Sequence, residues 1–152
     1  MTLNVTTPAD RTIVMTRTFA ASRDLEFAAH TQAEHIRHWW GRGNPLDVEI
    51  DFTVGGRWRF VEHADDGVHA FRGEFRAIDA PRGFTWTFEY EPMPGHIAVE
   101  RYEFSEEGGK TTVTCTSTFD NQADRDAMLQ SGMEQGAEQS YQALDAYLAQ
   151  RA

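Results

Sequence analysis

The chain has 152 residues and a formal net charge of −10, from 14 Lys and Arg against 24 Asp and Glu. This length fits one domain that buries a core without disulfide or metal support. The negative balance argues against nucleic acid or an anionic membrane as a partner, because both attract positive charge. The single cysteine excludes an internal disulfide, and neither a signal peptide nor an apolar run of about 18 residues is present. We therefore expect a cytoplasmic protein with no membrane partner.

The first part of the chain predicts a tail, a strand and two short helices. Residues 1–10 are polar and lack periodicity, so we expect a flexible tail ahead of a single domain over residues 11–150. Apolar and polar residues alternate over 12–19, which predicts a strand. Ser22 is a suitable N-cap for a short helix, and a second short helix is predicted over residues 32–40.

The rest of the chain predicts six consecutive strands and a helical C-terminus. Glycine-rich turns separate the strands. Asp120 or Asn121 is expected to cap a helical stretch that runs to about residue 130, and apolar residues then recur at helical spacing from Gly132. The six strands are predicted over residues 48–54, 57–63, 68–78, 84–90, 97–104 and 111–119.

The strand alternation predicts an α+β fold in which a sheet wraps around a helix. The strand over residues 84–90 places Phe84, Trp86, Phe88 and Tyr90 on one face, which is typical of an antiparallel sheet with one buried face. Only the C-terminal helix is long enough to cover that face. We therefore expect a seven-stranded antiparallel sheet curled around this helix, and any gap between them would be a pocket walled by aromatic rings.

Several motifs resemble one known family, in order and spacing over most of the chain. They are Arg17-x-Phe19-x-Ala21, Trp39-Trp40-Gly41, Phe52-x-Val54-Gly55-Gly56-Arg57-Trp58-Arg59-Phe60, Phe71-x-Gly73-Glu74-Phe75 with Ile78 and Pro81, Phe84-x-Trp86-Thr87-Phe88, and Gly132-Met133 with Gly136 and Leu144. On these residues the chain resembles the homologues of the activator of the heat-shock-protein-90 ATPase, within the START-like (SRPBCC, helix-grip) superfamily. The resemblance implies a helix-grip fold with two short helices after the first strand.

The resemblance implies less about activity, because the superfamily includes lipid carriers, hormone receptors, cyclases and co-chaperones. The eukaryotic activator has a separate N-terminal domain, for which the first ten or so residues of this chain offer no counterpart. We therefore expect a protein that binds a small hydrophobic or amphipathic molecule. Two alternatives stay open. One is a co-chaperone or stress-response protein that acts through its surface, with a chaperone as its partner. The other is a cyclase-like enzyme.

Aromatic side chains form the main candidate binding site. Of the four Trp, four Tyr and ten Phe, twelve lie between Phe52 and Phe119. Such rings either line a pocket or fill a core, and both interpretations stay open. The predicted lining consists of Trp39, Trp40, Trp58, Phe60, Phe71, Phe75, Trp86, Phe88, Tyr102 and Phe104.

Strand phase adds polar groups to this lining. Glu62 shares the phase of Trp58 and Phe60, Glu100 shares that of Tyr102 and Phe104, and Tyr90 continues the Phe84–Trp86–Phe88 row. The two glutamates form either a desolvated pair suited to acid–base chemistry, or carboxylates that lie at the solvated rim of the sheet or pair with an arginine such as Arg57 or Arg59.

The long helix and the helical pair supply the remaining candidates. Gly132, Gly136 and Ser140 form a strip of small residues that either leaves room for a ligand or allows close packing, and Met133 is placed at the pocket mouth. His30, His35 and His38 lack a metal-binding signature and are expected to be solvated, and Cys115 is expected to be an inert core thiol. The sequence predicts no metal, no cofactor and no catalytic residue.

Overall fold

The structure, a computed structural model, describes residues 2–151. Most of the strands that the alternating side chains predict are present in it. The strands are β1 (Asn4–Thr6), β2 (Thr12–Phe19), β3 (Leu46–Ile50), β4 (Arg57–Ala64), β5 (Gly67–Asp79), β6 (Gly83–Tyr90), β7 (Ile97–Glu107) and β8 (Lys110–Thr118). The helices are α1 (Arg23–Thr31), α2 (Ala33–Ile36), α3 (Gln122–Gln130) and α4 (Met133–Ala149).

The strands form one antiparallel sheet in the order β1-β2-β8-β7-β6-β5-β4-β3. The sheet has eight strands and not seven, because β1 pairs with β2 and places Val5 opposite Met15. This strand falls in the segment for which the sequence predicts a tail. Three residues are too few to show alternation, and burial of the neighbouring Leu3 depends on tertiary packing.

Other boundaries that differ from the prediction include the end of α2 and the two ends of β3. Regular α2 ends at Ile36, and turns continue from there to residue 43. Strand β3 begins two residues earlier than expected and ends at Ile50, because Asp51 and Thr53 turn the chain towards the glycine pair.

A β-bulge in β5 bends the sheet. Phe75 pairs with Trp86 and Ile78 pairs with Phe84, with a register shift between Phe75 and Ala77. The extra residue moves Ile78 to the same inner face as Phe75 although the two are an odd number of positions apart. Bulges of this kind increase local twist, which helps the sheet to curl.

Helix α4 covers the inner face with Tyr141, Leu144 and Leu148, which are all buried. The predicted caps are confirmed at two other helices, since Ser22 accepts from the Leu25 amide and Asn121 from the Asp124 amide. Among the described residues no helix is both long enough and apolar enough to span a bilayer.

Candidate functional site

The inner face of the sheet carries an interlocking cluster of rings. Its buried strand members lie on the face that strand phase predicts, and they are Trp58, Phe60, Phe75, Trp86, Tyr102 and Phe104. Trp39, from the turns after α2, is buried with them. Trp58 stacks on Trp86 with ring centroids 4.1 Å apart, and Phe84 stacks on Tyr102 at 4.9 Å. Offset stacking and edge contacts at such distances are favourable, so these rings form a rigid inner wall.

Each buried indole of this wall has a hydrogen-bond acceptor. Trp39 Nε1 donates to the Ala29 carbonyl at 3.0 Å, and Trp58 Nε1 donates to the Thr87 carbonyl at 3.1 Å. Trp86 Nε1 donates to Glu100 Oε1 at 2.9 Å. Because a buried N–H without an acceptor costs about 1–3 kcal/mol, these bonds fix the ring orientations.

Four further predicted rings are only half-buried, and we call this group the aromatic mouth: Trp40, Phe71, Phe88 and Tyr90. Phe71 is the centre of the group, with ring centroids 5.0 Å from Trp40, 5.5 Å from Phe88 and 5.2 Å from Tyr90. The sheet therefore presents a continuous aromatic surface that is closed at the inner wall and partly open at the mouth.

The N-terminal half of α4 contributes no fully buried side chain. The buried residues of α4 begin at Tyr141. Before it, the helix and the preceding α3 supply half-buried apolar side chains packed against the core, namely Met128, Leu129, Met133 and Ala137. Flexible methionines at such a position can adapt to different apolar partners.

A left-handed turn lies between this half of α4 and the sheet. Gly41, Arg42 and Gly43 have φ values of 75°, 62° and 75°, and Arg42 is the one non-glycine residue with positive φ among those described. The Arg42 amide donates to Ser140 Oγ at 2.8 Å, which ties the turn to α4. Strained backbone of this kind concentrates at functional sites.

The small residues of α4 accommodate that turn. A Cβ atom added at Gly136 would lie 3.8 Å from Arg42 Cδ, and one added at Gly43 would lie 3.4 Å from the Ala143 side chain. The structure thus places Gly136 beside Arg42 at ordinary contact distance, whereas a Cβ atom added at Gly132 would have no neighbour within 4 Å among the described residues.

Glu62 points inward, as strand phase predicts, and it is buried beside the turn. Its Oε2 atom accepts from Arg42 Nε at 2.8 Å and from Asn44 Nδ2 at 2.8 Å. The hydrogen bond to Glu62 raises the pKa of Arg42. The expected arginine partner is therefore present, but it is Arg42 and neither Arg57 nor Arg59.

The polar network continues along the edge of the mouth. Arg42 Nη2 lies 3.7 Å from Asp66 Oδ1, and His69 Nε2 donates to the same oxygen at 3.1 Å. The hydrogen bond from His69 lowers the pKa of Asp66. In the neutral His69 ring, Nδ1 accepts from the Tyr90 hydroxyl at 2.9 Å. A row of hydrogen-bonding groups therefore borders the half-buried rings.

Glu100 is buried elsewhere on the inner face. Its carboxyl group accepts from Trp86 Nε1 and, at 2.6 Å, from Ser117 Oγ. Burial raises its pKa, and the hydrogen bonds from Ser117 and Trp86 oppose this shift. Strand β7 is three positions from β4, about 14 Å along the sheet at normal strand spacing, so Glu62 and Glu100 do not form the hypothesised carboxylate pair.

Cys115 lies next to this carboxyl group, with Sγ 3.8 Å from Ser117 Oγ. Burial raises the pKa of its thiol well above the usual value. A thiol that resists ionisation is a poor nucleophile, which agrees with an inert core cysteine.

Sequence reasoning missed Glu26 and His30 on α1. His30 is buried and not solvated, and Glu26 has no exposed surface. His30 is three residues after the buried Phe27, so the two share a helix face, and this spacing was the available signal. His35 also has a partner, since its Nδ1 lies 2.7 Å from the Tyr147 hydroxyl.

Two open depressions lie on the surface of the molecule, and of the predicted lining only Trp58 borders one of them. One of about 560 Å³ is on the outer face of the sheet, beside Arg59, Arg72, Glu89 and Glu91. The other, of about 400 Å³, lies between Leu3 and the outer side of α4. In the part of the chain that the structure describes, no group of three or more His, Cys, Asp or Glu side chains could hold a metal ion.

Solved structures share this fold over nearly their whole length. A crystal structure from Rhodobacter sphaeroides is 23% identical with a TM-score of 0.88, and covers 98% of this chain and 99% of its own. A crystal structure from Mycobacterium smegmatis is 25% identical with a TM-score of 0.87, with 98% of both chains covered. A solution structure from Staphylococcus epidermidis is 26% identical with a TM-score of 0.78, and covers 100% of this chain and 96% of its own.

Sequence comparison agrees with the fold. The search of curated proteins gave no match. The family model described as "Activator of Hsp90 ATPase homolog 1-like protein" matches residues 20–149, which include the inner wall, the aromatic mouth and α4. The chain therefore belongs to the family of homologues of the activator of the Hsp90 ATPase, with the START-like helix-grip fold.

Proposed function

We propose that the protein binds a small hydrophobic or amphipathic molecule at the aromatic mouth, between the sheet and the N-terminal half of α4. The observation that carries this proposal is the contrast along one continuous aromatic surface. The inner wall is buried, whereas Phe71, Phe88 and Tyr90 are half-buried, and α4 has no fully buried residue before Tyr141. Exposed aromatic area bordered by polar groups is a common feature of small-molecule sites.

Apolar contact alone would bind such a molecule weakly. A ligand that buries about 300 Å² of apolar surface gains about 7–8 kcal/mol. Association costs at least about 4 kcal/mol, which leaves affinity in the millimolar range. Tighter binding therefore requires hydrogen bonds, and the Tyr90 hydroxyl, which lies 2.9 Å from His69 Nδ1, keeps lone pairs that can accept a hydrogen bond from a ligand.

A fluorescent apolar probe tests the proposal. N-phenyl-1-naphthylamine is uncharged and becomes bright in an apolar environment, so titration against the protein gives its dissociation constant. Phe71→Ala and Phe88→Ala should each weaken binding at least fivefold, because each removes a ring of the mouth. The matched control is Phe52→Ala, which removes another half-buried ring that lies 5.0 Å from Phe75, outside the mouth.

Each outcome is informative. Weaker binding in both mouth variants with unchanged binding in the Phe52 variant supports the site. Equal binding in all folded variants, verified by near-UV circular dichroism, would show that the probe binds elsewhere and would refute the proposal.

Family membership favours a second candidate, a chaperone partner. The family is named for activators of the Hsp90 ATPase. We propose, as this second candidate, that the protein binds Hsp90 and stimulates its ATPase. Adding the protein to purified Hsp90 should then increase ATP hydrolysis in proportion to the amount of complex formed. A chaperone whose ATPase rate is unchanged at saturating protein would exclude it.

A further inference from the structure

His30 is held in the core by neighbours on every side. Its Nδ1 atom donates to the Glu26 carbonyl at 2.7 Å. The ring centroid lies 4.9 Å from Trp39, 5.0 Å from Phe104 and 6.1 Å from Tyr141. One nitrogen is therefore satisfied by the backbone, and the other points into a wall of aromatic rings.

The second nitrogen has no hydrogen-bond partner. Burial lowers the pKa of His30 to about 4, so the ring is neutral, and Nε2 is an acceptor because Nδ1 carries the proton. Among the described residues nothing donates to Nε2, and both carboxyl oxygens of Glu26 also lack hydrogen-bond partners. All three atoms belong to side chains one helical turn apart on α1.

Several other buried polar groups of the same core do have hydrogen-bond partners. The indoles of Trp39, Trp58 and Trp86 each have an acceptor, and the Thr31 hydroxyl donates to the Phe27 carbonyl. Buried polar atoms are nearly always paired, so three unpaired atoms at one place need an explanation.

The unpaired atoms are connected to the aromatic mouth through consecutive tryptophans. Trp39 lies against His30, and Trp40 lies 5.0 Å from Phe71 in the mouth. Trp39 stacks on Tyr141 of α4 on one side and lies against His30 on the other, so a molecule at the mouth that displaces the Trp39–Trp40 segment would open a route to His30.

We propose that His30 Nε2, together with the Glu26 carboxyl group, forms an inner anchor that accepts a hydrogen bond from an N–H or O–H group of an uncharged ligand. This inference rests on the proposed function and names the chemistry of the ligand's buried end. An uncharged donor fits better than a cation, because burial raises the pKa of Glu26 to about 8 and lowers that of His30 to about 4, so at neutral pH the anchor carries no negative charge to compensate a cation. A saturated hydrocarbon chain would leave the anchor unpaired.

Two isomeric probes isolate this hydrogen bond. 3-Methylindole and 1-methylindole have the same composition and nearly the same shape, but only the first keeps a ring N–H. We expect the protein to bind 3-methylindole about tenfold more tightly, as measured by calorimetric titration, a factor that corresponds to about 1.4 kcal/mol. Equal affinity for the two isomers would overturn the inner anchor using the unaltered protein alone.

A variant locates the effect. His30→Phe keeps a ring among the surrounding aromatics but removes the acceptor, so the preference for 3-methylindole should disappear while 1-methylindole binds as before. His30→Gln keeps an acceptor oxygen and should retain part of the preference. A preference that persists in His30→Phe would assign the hydrogen bond to another group and refute the proposal.

The same titrations separate this inference from the proposed function. Binding of both isomers with equal affinity removes the anchor and leaves the aromatic mouth as a hydrophobic site. Failure of both isomers and of N-phenyl-1-naphthylamine to bind at millimolar concentration contradicts the two proposals together.

Discussion

Single side chains determine how the mouth is bordered, and Glu62 shows this most directly. Its carboxylate is buried, and Arg42 is the cation that compensates it. A buried ion pair adds little net stability compared with an apolar replacement, but loss of one partner leaves the other charge uncompensated. The turn that carries Arg42 is therefore held in its left-handed conformation by both α4 and β4.

Arg42→Met tests this dependence. The variant keeps an unbranched side chain but removes the positive charge, so Glu62 retains only Asn44 as a donor. We expect the free energy of unfolding in urea to fall by about 2 kcal/mol, the cost of a buried polar group that loses its partner.

The double variant Arg42→Met/Glu62→Gln provides the control. Because the glutamine side chain carries no charge, the double variant should be more stable than the sum of the two single changes predicts. Strictly additive losses would mean that the 2.8 Å contact between Arg42 and Glu62 contributes nothing.

Glu26 predicts a distinct pH dependence of stability. Burial, and next the charge of Asp145, raise its pKa to about 8, while Arg17 lowers it. Folded protein therefore holds a proton that unfolded protein has released, and stability falls as pH rises from about 4.5 to about 8. His30, with its pKa lowered to about 4, acts in the opposite direction below about pH 6.5. Glu100, whose pKa is also raised by burial, acts in the same direction as Glu26, so a comparison with a Glu26 variant between pH 6.5 and 8 is needed to isolate Glu26.

Glu26→Gln should remove this dependence. Urea unfolding between pH 6.5 and 8 should show a fall of at most about 1.4 kcal/mol per pH unit in the original protein relative to the variant. Parallel stability curves over this interval would show that Glu26 titrates normally in the folded protein.

At the scale of secondary structure elements, two glycines have opposite roles. Gly73 on β5 lies against Trp58 and β6, and an added Cβ would overlap the Thr87 carbonyl and approach Trp58 Nε1. Gly136 on α4 has helical backbone and only ordinary contact distance to Arg42. The first glycine is required by close strand packing, whereas the second is not required by available space.

Gly136→Ala should therefore stabilise the protein. Alanine is favoured over glycine in a helix interior by about 0.8–1 kcal/mol, and the 3.8 Å separation from Arg42 Cδ accommodates the methyl group. Thermal unfolding should show a higher Tm. A lower Tm would mean that the Arg42 turn and α4 are packed more tightly than these distances indicate.

Gly73→Ala should have the reverse effect. The methyl group displaces the Trp58 indole from its hydrogen bond to Thr87, and overpacking of this kind costs about 1–3 kcal/mol or more. Trp58 fluorescence should shift to longer wavelength as the ring loses its packing. An unchanged spectrum and an unchanged Tm would contradict the close approach of β5 and β6.

Local pattern accounts for much of these elements, and long-range contacts account for the remainder. The alternation of side chains in β4 and β7 was sufficient to place Trp58, Glu62 and Glu100 on the inner face, because successive side chains of a strand point to opposite faces whatever the adjacent strands are. The partner of Glu62 could not be predicted, since Arg42 lies on a turn whose position depends on α4. His30 was missed for the same reason, because its burial depends on rings from α4 and β7.

For the whole molecule, we propose that the curved sheet and α4 are tightly packed at the inner wall and incompletely packed at the aromatic mouth. The Rhodobacter sphaeroides and Mycobacterium smegmatis structures match this fold closely at only 23% and 25% identity, and a fold by itself does not define a ligand. The half-buried rings, the polar border and the unpaired atoms of α1 are properties of this chain.

Nuclear magnetic resonance with N-phenyl-1-naphthylamine tests this claim most directly. Intermolecular nuclear Overhauser effects should connect the probe with the rings of Phe71 and Phe88 and with the Met133 methyl group. Effects confined to the outer face, around Arg59 and Arg72, would contradict the account.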